Sequence, residues 1–228
     1  MQKEIEKNLK LVKESAHNAA LKAGLNPNNV LLVAVSKKKD EESIKAAFDF
    51  GIKDFGENYA QELSVKSDFF KDEEIVWHFI GPIQTNKIKL IAKHASWIHS
   101  IDRSKVVEKL NKECLQAERH INALIQINIS GEETKSGISP DKLLEFAEYV
   151  NTQTNINLKG IMVLTRINGN TKEKEEEMIK AKKLHTTLVN KFPHASHLSM
   201  GTTSDFERAI TNGSNIIRVG ELIFGKRT

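Results

Sequence analysis

The chain alternates short apolar runs of β type with longer stretches of helical spacing, and this alternation limits the folds that it can adopt. Strands buried on both faces form nearly continuous apolar runs, and helices joining parallel strands build α/β folds. Eight such units at this length predict a (β/α)8 barrel (TIM barrel) as one domain over residues 1–228, with a doubly wound open sheet as the alternative. The predicted strands are residues 31–36, 54–57, 76–81, 97–101, 123–129, 158–164, 197–201 and 216–220.

Several of the helices between these runs have recognisable ends. Asp40 is predicted to begin a helix that ends at Gly51, and Asp102 to begin a helix over residues 103–118. Pro140 stands at the first position of a third predicted helix. An additional amphipathic helix, with apolar residues at helical spacing over residues 5–20, precedes the first strand. We therefore expect a barrel with an extra N-terminal helix.

Composition excludes several classes of protein. The net charge is only +4, and lysine and glutamate alternate along stretches such as residues 172–183, so no basic stripe for nucleic acid is expected. The single cysteine, Cys114, excludes an internal disulfide and favours a reduced, intracellular setting, where it serves packing. No apolar run reaches the length of a membrane span. We expect a cytoplasmic protein without membrane or nucleic-acid contact.

A lysine follows the first strand at a position typical of α/β active sites. Lys37 stands where the apolar run ends, and Lys38 and Lys39 come directly after it. A desolvated lysine amine loses its proton more easily than a surface amine, and only the neutral amine attacks a carbonyl. Lys37 is therefore a Schiff-base candidate. The alternative is that the three lysines form a solvated basic turn.

An arginine interrupts the last predicted strand. Arg218 lies in an otherwise apolar run, and a guanidinium at such a place needs an acceptor. If the barrel closes, this strand lies beside the first one, which brings Arg218 near Lys37. The alternative is a structural ion pair of Arg218 with Glu57, Asp205 or Glu221.

The loop after the seventh strand suits an anion. Gly201 allows close backbone approach, the hydroxyl of Thr203 can donate, and Ser204 with Glu207 has the spacing of a capping box that starts a helix. In TIM barrels the loops after strands seven and eight commonly hold a phosphate. Alternatively, these hydroxyls only cap the helix.

One ligand satisfies these three features together. Pyridoxal 5′-phosphate carries an aldehyde for Lys37, a ring nitrogen that accepts from Arg218, and a phosphate that fits against Thr203 and Gly220. Metal chemistry is not expected, because His78 stands alone in the third strand without a partner at ligand spacing. The remaining histidines considered receive no role: His94, His99, His194 and His197.

Taken together, six segments resemble the pyridoxal phosphate homeostasis protein family. This resemblance implies a single barrel like the N-terminal domain of alanine racemase. One departure concerns the anion loop, where the family commonly has Gly-Met-Ser and this chain has Gly201, Thr202 and Thr203, which keeps a hydroxyl. The segments are AVSK at 34–37, FGENY at 55–59, WHFIGP at 77–82, IQINI at 125–129, LSMG at 198–201 and RVG at 218–220.

The resemblance also implies roles for particular residues. Lys37 would hold the cofactor as an internal aldimine, and Arg218 would face its pyridine nitrogen. Asn58 and His78 would lie near the cofactor. The phosphate would be held by residues around Ser199, Thr203 and Gly220, and Met200 and Gly201 would belong to the same cofactor site.

Binding is expected in preference to catalysis. Racemases with this barrel take a second acid/base from an additional β domain and a partner subunit, and a chain ending at Thr228 leaves no room for that domain. Arginine at the ring nitrogen disfavours its protonation, which makes the ring a poorer electron sink. We expect a monomer that buffers pyridoxal phosphate or delivers it to apo-enzymes. The alternatives are a racemase or lyase that uses the same cofactor and a cofactor-free Schiff-base aldolase.

Overall fold

A computed structural model describes residues 1–132, 135–166 and 168–225. Its parallel strands follow one another around a closed barrel, and the last strand pairs with the first. This closure confirms the predicted TIM barrel and excludes the open sheet. The strands are β1 (Leu31–Val35), β2 (Asp54–Glu57), β3 (Val76–Phe79), β4 (Trp97–Ile101), β5 (Ile121–Ile127), β6 (Ile156–Val163), β7 (His197–Thr202) and β8 (Ile216–Val219).

Helices surround the barrel, and the extra N-terminal helix is present. The helices of the described residues are α1 (Gln2–Lys22), α2 (Glu41–Asp49), α3 (Ala60–Phe69), α4 (Ile88–His94), α5 (Ser104–Gln116), α6 (Leu143–Asn151), α7 (Thr171–Lys191), α8 (Phe206–Thr211) and α9 (Glu221–Phe224). Helix α1 packs against α2, α8 and α9. Asp40 caps α2 as predicted, because its carboxylate accepts from the Ser43 amide at 2.9 Å. None of the described helices is long and apolar enough to cross a membrane.

The buried apolar side chains form two layers, because neighbouring residues of a strand point to opposite faces of the sheet. Inside the barrel a small cluster contains Val33, Leu124, Met162 and Ile216. A much larger layer fills the space between the barrel and its helices. Whether a strand residue points inward or outward therefore decides whether it can approach the axis of the barrel.

The pairing of β1 with β8 determines where Lys37 and Arg218, the two cations predicted to face a ligand, lie along the barrel axis. Val33 is paired with Arg218, and Ala34 with Val219. Lys37 follows β1 two residues beyond its end, so it stands above Arg218 at the carboxyl end of the barrel. This placement confirms the predicted neighbourhood of the first and last strands.

The predicted start of the helix after strand seven is wrong. Ser204 and Glu207 do not form a capping box; α8 begins one residue after Asp205. The Asp205 carboxylate accepts from the amide and the hydroxyl of Thr202, at 2.7 and 3.0 Å, and so fastens the end of β7. Glu207 accepts instead from the hydroxyl of Ser15 on α1.

Candidate functional site

A cavity of about 770 Å³ opens at the carboxyl ends of the strands. This is where TIM barrels assemble their sites. The side chains of Val35 and Ile80 provide part of its apolar wall. The predicted site residues that line it are Lys37, Asn58, Gly201, Thr203, Arg218 and Gly220. Residues at or just after the ends of strands β1, β2, β7 and β8 thus converge on one space.

The three consecutive lysines have different surroundings. Lys37 is half-buried and lines the cavity, whereas Lys38 is exposed. The chain turns sharply here, with a φ of 58° at Lys38 and a hydrogen bond of 3.0 Å from the Lys39 amide to the Ser36 carbonyl. The Lys39 amine donates to the Phe224 carbonyl at 3.0 Å, at the end of α9. A uniformly solvated basic turn does not describe this segment.

A buried ion cluster on the outer face of the barrel supports this turn. The amine of Lys66, from α3, donates to the Ser36 carbonyl at 2.8 Å, to Glu57 Oε1 at 2.8 Å and to Glu62 Oε1 at 2.6 Å. Glu62 also accepts from the amide of Lys38. The backbone on both sides of the cavity-lining lysine is therefore tied to α3.

Glu57 belongs to this outer cluster and not to the cavity. Burial raises the pKa of Glu57 to about 7, since desolvation of the carboxylate outweighs the attraction of Lys66. Its neighbour Gly56 faces the other way, because a Cβ there would meet Val33 inside the barrel at 3.1 Å. The alternative in which Glu57 pairs with Arg218 is therefore wrong: the two side chains lie on opposite faces of the sheet.

Asn58 presents an unsatisfied polar atom at the cavity. Its Oδ1 atom is buried and has no hydrogen-bond partner among the described residues. Gly81 fits tightly against the Asn58 backbone, since a Cβ at that position would lie 2.1 Å from the Asn58 carbonyl oxygen. A buried amide oxygen without a partner costs free energy, so this side chain suits a ligand that supplies a donor.

The loops after β7 and β8 meet at the cavity. The Gly220 amide donates to the Thr203 hydroxyl oxygen at 3.3 Å, which joins the two loops. Gly201 has a φ of 98°, and a Cβ there would lie 2.5 Å from the Cβ of Ala209 and 2.9 Å from the Cα of Phe206. Only glycine lets α8 pack so closely against the end of β7.

Arg218 is buried at the inner face of the barrel, where its guanidinium bonds to a hydroxyl and to a backbone carbonyl. One of its amino groups donates to the hydroxyl of Ser199 and the other to the Val163 carbonyl at 3.1 Å. No ion pair within 4.0 Å joins it to Asp205 or Glu221 in the part of the chain that the structure describes. Burial lowers the pKa of Arg218 to about 10, with partial compensation by the charge of Asp205.

Three predicted site residues do not line the cavity. His78 lies inside the barrel, with Nε2 2.9 Å from Asp54 Oδ1 and Nδ1 2.9 Å from His99 Nε2. Ser199 is fully buried between His99 and the arginine of β8. Met200 points outward into the layer between barrel and helices, because strand alternation puts it on the face opposite Ser199. The structure thus places all three away from the cavity lining, and the ligand contacts expected of them stay predictions.

The sequence interpretation missed His99 and a group of cations. His99 is fully buried on β4, and its place two residues after Trp97 puts both on the inner face, which was a usable signal. Lys135, Arg166 and Lys174 line the cavity from loops and a helix outside the strand pattern. Two of them are in ion pairs, Lys135 with Glu132 at 2.5 Å and Arg166 with Glu177 at 2.7 Å, so carboxylates balance part of the positive charge at the mouth.

Fold and site together define a class of protein, the alanine-racemase type of (β/α)8 barrel with a lysine after its first strand. A family model described as "Alanine racemase, N-terminal domain" matches residues 4–228. The "Pyridoxal phosphate homeostasis protein" of Haemophilus influenzae is 39% identical over 227 residues, covering 98% of this chain and 96% of that protein. The protein of the same name from Escherichia coli K12 is 37% identical, with 98% and 97% covered. The chain belongs to this family of pyridoxal phosphate homeostasis proteins.

Solved structures show the same architecture. The structure of PipY from Synechococcus elongatus with pyridoxal phosphate bound superimposes with a TM-score of 0.82 at 28% identity, covering 97% of this chain and all of that one (100%). An alanine racemase from Corynebacterium glutamicum has a TM-score of 0.73 at 14% identity, covering 99% of this chain and 61% of its own length. The second likeness concerns the fold alone.

Proposed function

We propose that this protein binds pyridoxal 5′-phosphate in the cavity, holds it as a Schiff base on Lys37, and buffers it or delivers it to apo-enzymes. The observation that carries the proposal is the convergence of Lys37, Arg218 and Thr203 on one cavity. The names of its relatives and the cofactor bound to PipY support it. A cytoplasmic location, a monomeric state and one domain over residues 1–228 are parts of the same proposal.

The residues present fit the groups of this cofactor. When bound, the cofactor would supply an aldehyde that condenses with a primary amine. Lys37 provides that amine, Arg218 offers a guanidinium to the ring nitrogen, and the joined loops of Thr203 and Gly220 receive the phosphate. The buried oxygen of Asn58 offers an acceptor. Each of the three chemical features of the ligand therefore has a counterpart in the cavity.

Holding the cofactor is favoured over using it as a catalyst. Carbanion chemistry on such a ring gains from a protonated ring nitrogen, and a guanidinium, which only donates, opposes that protonation. Arg218 remains a cation at neutral pH even with its pKa lowered to about 10. The relatives are likewise named for homeostasis. We therefore propose that the protein is not an enzyme.

The test is chemical trapping of the bound aldehyde. The purified protein is incubated with pyridoxal phosphate, reduced with borohydride and digested, and the adduct is located by mass spectrometry. We expect the adduct on Lys37 and its loss in Lys37→Ala. The control is Lys38→Asn, because Lys38 is exposed and asparagine tolerates its φ of 58°. An unchanged adduct yield in Lys37→Ala would overturn the assignment.

Two experiments address the rival functions. A cofactor-free aldolase would bind its substrate without the yellow colour of the trapped cofactor, so a borohydride-sensitive visible absorption excludes it. A racemase or lyase would exchange the α-proton of an amino acid with solvent. The loaded protein is therefore incubated with L-alanine in heavy water, and rapid exchange with inversion would refute the proposal of a binding protein.

A further inference from the structure

A continuous line of hydrogen-bonded side chains crosses the interior of the barrel. It begins at Asp54 on β2 and passes to His78 on β3 at 2.9 Å and from there to His99 on β4 at 2.9 Å. His99 Nδ1 lies 3.0 Å from the hydroxyl of Ser199 on β7, which accepts from Arg218 on β8. Five strands thus contribute one side chain each. We call this set the interior line.

The chemistry of the two ends determines the direction of every hydrogen bond in the interior line. A carboxylate only accepts and a guanidinium only donates. His78 must therefore carry its proton on Nε2, toward Asp54, which leaves its Nδ1 as the acceptor for His99. His99 in turn carries its proton on Nε2, and its Nδ1 accepts from the Ser199 hydroxyl. The donors all point from Arg218 toward Asp54, and each bond has one proton.

Burial agrees with this arrangement. His78 and His99 are completely buried, and desolvation lowers the pKa of His78 and lowers that of His99 well below its usual value. Each ring is therefore neutral and holds a single N–H at neutral pH. Trp97 stacks on His78 at a centroid distance of 5.6 Å, and His197 is a further titratable neighbour of His99. Nothing charged other than the two ends takes part in the line.

We propose that the interior line positions Arg218 and keeps it as a pure donor toward the ring nitrogen of the ligand. All bond dipoles present their negative ends to the guanidinium, which favours its charged form. Ser199 fixes one of its amino groups, while the Val163 carbonyl fixes the other. His78, His99 and Ser199 are therefore positioning residues that never touch the ligand. The part concerning the ring nitrogen rests on the proposed function.

The ligand-free protein provides the first test. Long-range proton–nitrogen correlation spectra of the histidine rings distinguish the two neutral tautomers and the cation. We expect His78 and His99 to be neutral with the proton on Nε2. A proton on Nδ1 of either neutral ring, or a cationic ring at neutral pH, would refute the hydrogen-bond directions proposed for the interior line. This result does not depend on which ligand the cavity binds.

The second test asks whether the line acts on the ligand. With ¹⁵N-labelled pyridoxal phosphate, Ser199→Ala should move the ring-nitrogen resonance and weaken binding about tenfold, because a guanidinium that Ser199 no longer positions loses its charge-assisted hydrogen bond to the ring nitrogen. The matched control is Ser214→Ala, because Ser214 is equally buried and bonds to backbone carbonyls such as that of Leu198. Equal responses of the two variants would refute the role of the line.

A substitution at the far end tests transmission of charge. Asp54→Asn keeps an oxygen that accepts from His78 but removes the negative charge, and Asp54 is partly exposed, so the fold should tolerate it. We expect a smaller shift of the same resonance, with the borohydride adduct on Lys37 unchanged. No shift would refute charge transmission. If no adduct forms on Lys37 in the wild-type protein, the proposed function is refuted. The tautomers of His78 and His99 would not be affected by that outcome.

Discussion

Replacing Glu57 with glutamine tests whether the outer ion cluster contains a carboxyl group that titrates near neutral pH. Burial raises the pKa of Glu57 to about 7 from an ordinary 4.5, although the Lys66 amine lies 2.8 Å away. Glutamine keeps an oxygen that accepts from Ser36 and Lys66 but has no ionisable proton. Glu57→Gln therefore removes the titration and preserves the shape of the cluster.

The sign of the effect follows from the two pKa values of this carboxyl group. The folded protein holds a proton that the unfolded chain has already released between pH 4.5 and about 7. Stability therefore falls as the pH rises through this window, and the loss is complete above it. With about 1.4 kcal/mol for each pKa unit, ionisation of Glu57 destabilises the wild-type protein by about 2.5 kcal/mol more at pH 8 than at pH 5.

Urea unfolding followed by circular dichroism, at four pH values between 5 and 8, measures this difference. The free energy of unfolding of Glu57→Gln relative to wild type should increase by about 2.5 kcal/mol across the range. The control is Glu74→Gln: Glu74 is exposed, and its hydrogen bond with Lys53 lowers its pKa, so no such increase is expected. If the free energy of unfolding of Glu57→Gln relative to wild type is the same at every pH, the raised pKa of Glu57 is refuted.

Two further substitutions and one chemical labelling experiment test the packing, the phosphate loop and the buried cysteine. Gly201→Ala should destabilise the protein by about 3 kcal/mol in urea unfolding, since its φ is 98° and the new methyl group would lie 2.5 Å from Ala209; unchanged stability would contradict the tight packing. Thr203→Val should weaken pyridoxal phosphate binding about tenfold in a fluorescence titration, because it removes the hydroxyl that is proposed to donate to the phosphate and that joins this loop to Gly220; unchanged affinity would contradict the role of this loop. Cys114 should resist a thiol reagent until the protein unfolds, because burial raises its pKa to about 11; rapid labelling of the native protein would contradict this.

Much of the barrel was predictable because its strands are apolar runs with clear polar ends. The predicted β2 and β4 have the observed bounds, while the predicted third strand, residues 76–81, is two residues too long. The backbone leaves the sheet after Phe79 and approaches Asn58 closely at Gly81. That approach depends on how two loops meet in space, and a single sequence does not contain this information.

The candidate site was predictable where strand order alone placed a residue. Lys37 and Arg218 needed only the closure of the barrel, which the count of strands implied. Met200 points outward, away from the cavity, and alternation along the strand already places it opposite Ser199 and Gly201. The pairing of buried polar groups was beyond the sequence, because the partners come from strands far apart in the chain and their choice depends on the width of the barrel.

The two cations that face the proposed ligand are held from opposite sides of the sheet. The turn containing Lys37 is fixed from outside, where Lys66 donates to the Ser36 carbonyl, whereas Arg218 is fixed from inside, where its partner is Ser199. Strand pairing sets the relative height of the two cations, since Val33 is in register with Arg218. Because the two supports share no side chain, a loss of one leaves the other in place. The geometry of the site therefore follows from alternation along each strand combined with closure of the barrel, and neither alone would bring both cations to the same cavity.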